Sequence, residues 1–148
     1  MPQSLSKILV HLVFSTKNRQ ALIADDTKER LHGYIAGILE HIGCVPIQTG
    51  GTADHLHVLF ALARTITMSK VVEEVKTGSS KWMKTQGVPS FAWQNGYGAF
   101  SVGESQVEAV VRYIQRQEEH HRRRSFKVEL RVLLERYHVP LDERFAWD

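Results

Sequence analysis

Two histidines separated by one leucine, His55 and His57, stand inside the run GGTADHLHVLFAL, Gly50 to Leu62. The run otherwise reads as a buried β-strand, and side chains on a strand alternate faces. His55 and His57 therefore share one face, and Leu56 and Val58 take the other. Two imidazoles side by side are either half of a metal site or a pair of partly exposed polar residues, and the pair alone does not decide between them. A second spacing with chemical content is Tyr113 and Gln117, four residues apart, which stacks both on one side of a helix. At about 100° per residue, that side lies beside the apolar stripe Val107, Val110 and Ile114. Tyr113 and Gln117 thus sit at the rim of the packed face, where side chains can reach a sheet surface. From spacing alone, a rim tyrosine and a solvated glutamine is the plainer account.

The elements that must position these residues follow from local pattern. KILVHLVFST, Lys7 to Thr16, is a dense β-branched and aromatic run and predicts a buried strand. His11 within it reads as a satisfied core histidine. STKNRQ then turns the chain and leaves Lys17 and Arg19 at the strand's end. Asp26 and Glu29 have the spacing of a capping box for a helix with Leu31, Ile35, Ile38, Leu39 and Ile42 inward, stopping at Gly43. CVPIQTGG, Cys44 to Gly51, predicts a second strand in which Pro46 implies an edge or a bulge. Gly50-Gly51 supplies a turn into the histidine strand, so the two strands form an antiparallel hairpin.

Thr67 caps a helix holding Val71, Val72, Val75, Trp82 and Met83. An aromatic, glycine-containing stretch leads to a short strand at Ala99 to Val102. Ser105 and Glu108 form another capping-box pattern, opening one continuous helix through VEAVVRYIQRQEEHHRRR, with Gly103 before it as a candidate hinge. Ser125 opens a last helix with Leu130, Leu133 and Leu134 inward and Pro140 at its end. The order strand, helix, strand, strand, helix, strand predicts an α+β fold with a ferredoxin-like antiparallel sheet. The additional helix, which carries Tyr113, lies outside that core and must pack on the open sheet face or on another chain.

Composition bounds the reading without deciding it. The 148 residues suit a single domain, 1–148, and 43% apolar with 24% charged residues reads as soluble and globular. A net charge of +3, from 19 basic and 16 acidic side chains, permits a nucleic-acid partner without demanding one. The single cysteine, Cys44, cannot form an internal disulfide, which fits a cytoplasmic setting. The apolar run Ile8 to Phe14 is too short to span a bilayer, so no membrane association is expected. No Walker-type phosphate loop is present, and no nucleotide cofactor is expected.

DHLHVLF followed by VVRYIQRQEEHH resembles the motif pair of HUH-type single-tyrosine transposases of the insertion-sequence-200-like family, HUH standing for His, hydrophobic residue, His. HLVFSTKNRQALI, KTGSSKWM, WQNGYGAFSVG and LDERFAWD agree in family order, so the resemblance covers essentially the whole chain. The repeat-associated tyrosine transposases share these core motifs. The resemblance implies that His55, His57 and Gln117 hold a divalent cation, Mg²⁺ or Mn²⁺, and that Tyr113 is the nucleophile. Asp54 is placed to orient the His55 ring.

The implied activity is cleavage and rejoining of single-stranded DNA with hairpin ends through a 5′-phosphotyrosine link, by a homodimer. A phenol has a reference pKa of about 10 and needs activation to attack phosphorus, which a cation on the scissile phosphate supplies. Lys17, Arg19, Lys76 and Lys81 are candidate DNA contacts, and Trp82, Trp93 and Tyr97 candidate stacking surfaces. HHRRR, His120 to Arg124, reads more simply as a basic helix end than as a DNA grip. Two alternatives compete: a hairpin-binding module for DNA or RNA that does not cut, and a metal-dependent nuclease in which water replaces the tyrosine.

Overall fold

A computed structural model of the chain describes residues 3–121 and 124–141. The strands are β1 (Leu9–Ser15), β2 (Val45–Gly51), β3 (His55–Ala61) and β4 (Gly98–Val102). They form a four-stranded sheet in the order β2-β3-β1-β4, and every neighbouring pair is antiparallel. With α1 (Asp25–His41) and α2 (Met68–Thr85) between them, this is the ferredoxin-like arrangement, as the element order predicts. β2 is an edge strand, and its register slips between Pro46 and Gln48, where proline cannot donate to the ladder.

The sheet separates two environments because strand side chains alternate. Val10, Leu12 and Phe14 of β1 and Leu56, Val58 and Phe60 of β3 join Leu31, Ile35 and Leu39 of α1 and Val71, Val75 and Met83 of α2 in the main core. Each such buried side chain contributes about 1.5–3 kcal/mol relative to exposure. The opposite face carries Leu9, His11 and Val13 of β1 and His55, His57 and Leu59 of β3. It is covered by α3 (Val107–Gln115), α4 (Gln117–His121) and α5 (Phe126–Arg136). The additional helix therefore packs on the open sheet face of its own chain. Leu9, Leu59, Val102 and Ile114 form one apolar cluster there, and Val13, Phe100, Phe126, Leu130 and Leu133 another.

Several local expectations are corrected. Ala24, not Asp26, is the N-cap of α1, without a side-chain cap bond, so the Asp26/Glu29 spacing is not a capping box. Gly50 and Gly51 belong to β2 and pair with His57 and Leu56; the turn falls on the following residues. Ser105 lies in a short 3-10 turn, Glu104–Gln106, and caps nothing. The helix expected to run unbroken from there ends at Gln115, with Arg116 as its C-cap, and restarts at Gln117. Thr67 and Ser125 do cap α2 and α5, accepting from Lys70 N and Val128 N. α5 ends at Arg136, ahead of Pro140. The stretch LDERFAWD lies, after its first residue, outside the described residues, as do Arg122 and Arg123.

Candidate active site beneath the added helices

β3 delivers His55 and His57 to the helix-covered face opposite the main core, and both are fully buried. In register, His57 stands between Val13 on β1 and Gly50 on β2, and His55 stands beside Ser15. Gly50 matters because α3 crosses directly above it. A Cβ there would lie 2.5 Å from the Ile114 carbonyl oxygen. The missing side chain lets α3 settle close enough for the next turn to reach the imidazoles.

Each histidine has a partner on its inner nitrogen. His55 Nδ1–H donates to Asp54 Oδ1 at 2.7 Å, and Thr52 Oγ1 donates to the same carboxylate oxygen at 3.0 Å. Asp54 thus orients the His55 ring, as its position before the histidine implies. His57 Nδ1 lies 2.8 Å from His11 Nε2. His11 is buried as expected, but its partner is the second histidine. Burial lowers the His11 pKa to about 3; His57 adds to the effect and Glu129 opposes it.

The outer nitrogens converge. His55 Nε2 lies 3.0 Å from Gln117 Oε1, and His57 Nε2 donates to Glu129 Oε1 at 2.8 Å. The same Glu129 oxygen is 3.8 Å from His55 Nε2. Tyr113 Oη donates to the other oxygen, Glu129 Oε2. The Tyr113 ring centre is 5.6 Å from that of its own chain's His57. Gln117 is not the solvated glutamine that spacing alone favours. It is 1% exposed, and its Nε2 donates to the Tyr113 carbonyl.

His55, His57, Gln117 and Tyr113 therefore meet, and Glu129 completes the group. Sequence reasoning missed it, although a signal exists. Phe126, Glu129, Leu130 and Leu133 fall at i, i+3, i+4 and i+7, which puts a carboxylate on the apolar stripe of α5. A carboxylate buried to 3% exposure must be paired to be tolerated.

The donor set suits a cation. His55, His57 and Glu129 each present a ligand atom, all within 4.8 Å of one another. With Nδ1–H of His55 committed to Asp54, its Nε2 presents a lone pair toward Gln117 Oε1, also an acceptor. Two acceptors facing each other at 3.0 Å is an arrangement that a cation or a second imidazole proton accommodates. Tyr113 is held in its neutral form. Burial, then the Glu129 charge and hydrogen bond, push its hydroxyl well above the ordinary tyrosine value, while Arg124 acts in the opposite direction.

The basic candidates sort differently. Lys17 and Arg19 occupy a 3-10 turn directly after β1, where the Thr16 amide donates to the Asp54 carbonyl at the edge of the site. Lys81 is exposed on α2, across the sheet from the histidines. Lys76 is instead a structural anchor. Its Nζ donates to the Gln94 and Gly96 carbonyls at 2.7 Å each and lies 5.2 Å from the Phe14 ring centre. Burial lowers its pKa to about 8. Trp93 is core, its indole N–H donating to Ser79 Oγ, and Trp82 stacks on Tyr34. Tyr97 is the most open of the three aromatic candidates.

A ferredoxin-like sheet bearing a buried His-Leu-His pair under a tyrosine helix defines a class, and comparison supplies the family. Residues 4–117 match the family described as "Transposase IS200 like". The chain belongs to that family. Two solved structures share the fold. One is a candidate transposase from Deinococcus radiodurans R1, with TM-score 0.62, 20% identity, and coverage of 79% of this chain and 98% of that one. The other is a REP-associated tyrosine transposase bound to a REP hairpin, with TM-score 0.61, 14% identity, and coverage of 82% and 73%. No curated protein sequence matches the chain. None of the described helices is long and apolar enough to cross a membrane.

Proposed function

We propose that this protein cuts and rejoins single-stranded DNA flanking hairpin structures, with Tyr113 as nucleophile and a divalent cation held by His55, His57, Glu129 and Gln117. One observation carries the reading: a single carboxylate, Glu129, joins the Tyr113 hydroxyl to the imidazole of His57, within a transposase-family chain. The REP hairpin in the structurally similar transposase supports a hairpin substrate here.

A bound cation would polarise the scissile phosphate and offset charge on its oxygens. Mg²⁺ and Mn²⁺ both accept the carboxylate and amide oxygens, and Mn²⁺ suits the two imidazoles better. The protein's own groups do the rest. Asp54 fixes the His55 ring, and His11 fixes that of His57. Glu129 divides its two oxygens, Oε1 toward the histidines and Oε2 toward the phenol. Oε2 takes the phenolic proton as Tyr113 Oη bonds to phosphorus, and the 3′ oxygen leaves with the electron pair of the broken bond and takes a proton from water to become a 3′-hydroxyl. The 5′-phosphotyrosine link conserves the bond energy, so a 3′-hydroxyl can later displace Tyr113 without a nucleotide cofactor.

Tyr113 reaches the histidines of its own chain, which supports cleavage in cis even in a homodimer. Lys17 and Arg19, in the turn that follows Thr16 and its bond to the Asp54 carbonyl, contact the incoming phosphates.

Incubating the protein with hairpin-containing single-stranded DNA and Mn²⁺ should give a covalent protein–DNA adduct on a denaturing gel. The adduct should vanish in Tyr113→Phe and with chelator. Cutting that persists in Tyr113→Phe identifies a water nuclease instead. Binding without cutting by the unaltered protein identifies a non-catalytic hairpin module.

A further inference from the structure

Two stretches that stand out in the sequence take no direct part in the site. KTGSSKWM opens on Lys76 of α2, and WQNGYGAFSVG contains Gln94 and Gly96. The fold joins them. Lys76 Nζ donates to the Gln94 and Gly96 carbonyl oxygens, and the Trp93 indole N–H donates to Ser79 Oγ at 2.9 Å. From Gln94 to Tyr97 the chain is in neither helix nor strand, so its carbonyls need donors from elsewhere. A half-buried ammonium is tolerated where protein groups replace its water. Here two carbonyls do so, with the rings of Phe14 at 5.2 Å and Tyr97 at 5.9 Å.

The held segment reaches the histidines through hydrogen bonds. The Gln94 amide donates to the Ser15 carbonyl at 2.9 Å, and Gln94 Oε1 accepts from the Ser15 amide at 2.6 Å. Gln94 is buried, so water does not compete for either bond. Ser15 is the register partner of His55. The next residue, Thr16, donates from its amide and its hydroxyl to the Asp54 carbonyl, at 2.8 and 3.2 Å. Asp54 in turn accepts the His55 Nδ1–H. We infer that Lys76 is a positioning residue: from the far face of the sheet it holds the Gln94 segment, and through Ser15, Thr16 and Asp54 it fixes the aim of the His55 ring. This inference rests on the reading of His55 as a metal ligand and adds how its direction is set from α2. A lysine that only attracted DNA would leave the metal-free site unchanged when replaced, so the two roles have different signatures.

Lys76→Met keeps the apolar stem and donates no bond, whereas Lys76→Arg keeps donors. In the metal-free protein, proton NMR identifies the His55 Nδ1–H as the low-field signal lost in Asp54→Ala. Lys76→Met should move that signal and make its exchange with water about tenfold faster. Mn²⁺ affinity, by calorimetry, should fall about tenfold, and Lys76→Arg should recover most of both changes. Because the residues act in one chain, adding Lys76→Met to Asp54→Ala should weaken Mn²⁺ binding by no more than about twofold beyond Asp54→Ala alone. Leu39→Val is the control for general destabilisation. Leu39 lies in the main core beside Cys44, at the end of the sheet away from His55, so its variant should lower the melting temperature and leave the His55 signal in place. Should Lys76→Met not fold, Lys76→Gln, which keeps one donor group and no charge, is read in the same way. The inference is overturned if the Lys76 variant matches the parent in His55 signal and Mn²⁺ affinity, if Leu39→Val at equal loss of stability gives the same changes, or if the Lys76 and Asp54 losses multiply. Failure of the unaltered protein to bind Mn²⁺ would count against the metal reading alone, because the His55 signal is measured without metal.

Discussion

Glu129 Oε1 lies 2.8 Å from His57 Nε2 although 72 residues separate the two in sequence. The contact welds α5 to the sheet at the point where the tyrosine also arrives. If Glu129 is a ligand, Glu129→Gln removes the one negative charge in the set while keeping its shape. Mn²⁺ affinity, measured by calorimetry, should fall at least about tenfold. The same substitution removes a charge that opposes phenolate formation, so the Tyr113 pKa should move down toward the ordinary tyrosine value. Ultraviolet titration against a Tyr113→Phe control reads that shift. An unchanged Tyr113 titration would show that burial alone sets its ionisation.

His11 plays for His57 the part that Asp54 plays for His55. Its ring is 3% exposed and its Nε2 is 2.8 Å from His57 Nδ1. Partners of this kind set the tautomer and aim of a metal-binding imidazole, and losing one typically costs about 10–100-fold in metal affinity or activity. His11→Phe keeps the ring volume but cannot hydrogen-bond. It should weaken Mn²⁺ binding by about tenfold while leaving the melting temperature of the metal-free protein within a few degrees. Equal loss of folding and metal affinity would mean that His11 serves packing only.

Much of this site is legible in the sequence, and the rest is hidden for specific physical reasons. His55 and His57 show themselves because strand alternation forces neighbours two apart onto one face. Helical spacing puts Tyr113 and Gln117 on one side but leaves Gln117 reading as solvated, and only the family resemblance brings both to the histidines; the break at Arg116 leaves both on the sheet side. The ferredoxin-like core follows from element order alone. Glu129 was missed because a lone acidic residue on an apolar stripe has meaning only when its partners are known, and those sit on β3 and α3. The partners of Lys76 were hidden for the converse reason. A lysine on a helix reads as solvated unless a loop folds its carbonyls over it, as Gln94 and Gly96 do. The capping-box patterns at Asp26 and Ser105 failed because the helices start elsewhere, at Ala24 and Gln106, neither of which makes a side-chain cap bond.

Gly50 is the tightest point in the placement of α3. Any Cβ there meets the Ile114 carbonyl at 2.5 Å and the Ile114 side chain at 2.7 Å. The clash is with backbone, so it cannot be relieved by a rotamer change. Gly50→Ala should cost about 1–3 kcal/mol in denaturant unfolding. It should also lift Tyr113 and Gln117 away from the imidazoles and reduce adduct formation beyond what the stability loss explains. Gly37→Ala, where a Cβ meets nothing within 4 Å, is the matched control and should be neutral or stabilising.

His32 on α1 gives the fold an acid-sensitive point remote from the site. Its Nε2 is buried with no hydrogen-bond partner among the described residues, and burial, with a smaller effect from Lys28, lowers its pKa to about 4. The unfolded chain takes up this proton near the ordinary histidine value of 6.5, and the folded chain does so only near 4. Between those values the unfolded state binds more protons, so stability rises with pH across the window and is lost on acidification. The full effect is at most about 3 kcal/mol, reduced by solvent screening of the partly exposed ring. His32→Leu should remove most of this dependence and add about 1 kcal/mol at neutral pH by eliminating the unsatisfied nitrogen. Urea unfolding at about pH 7 and about pH 4.5 measures both, and a variant whose stability falls as steeply with acid as the parent's would assign the sensitivity elsewhere.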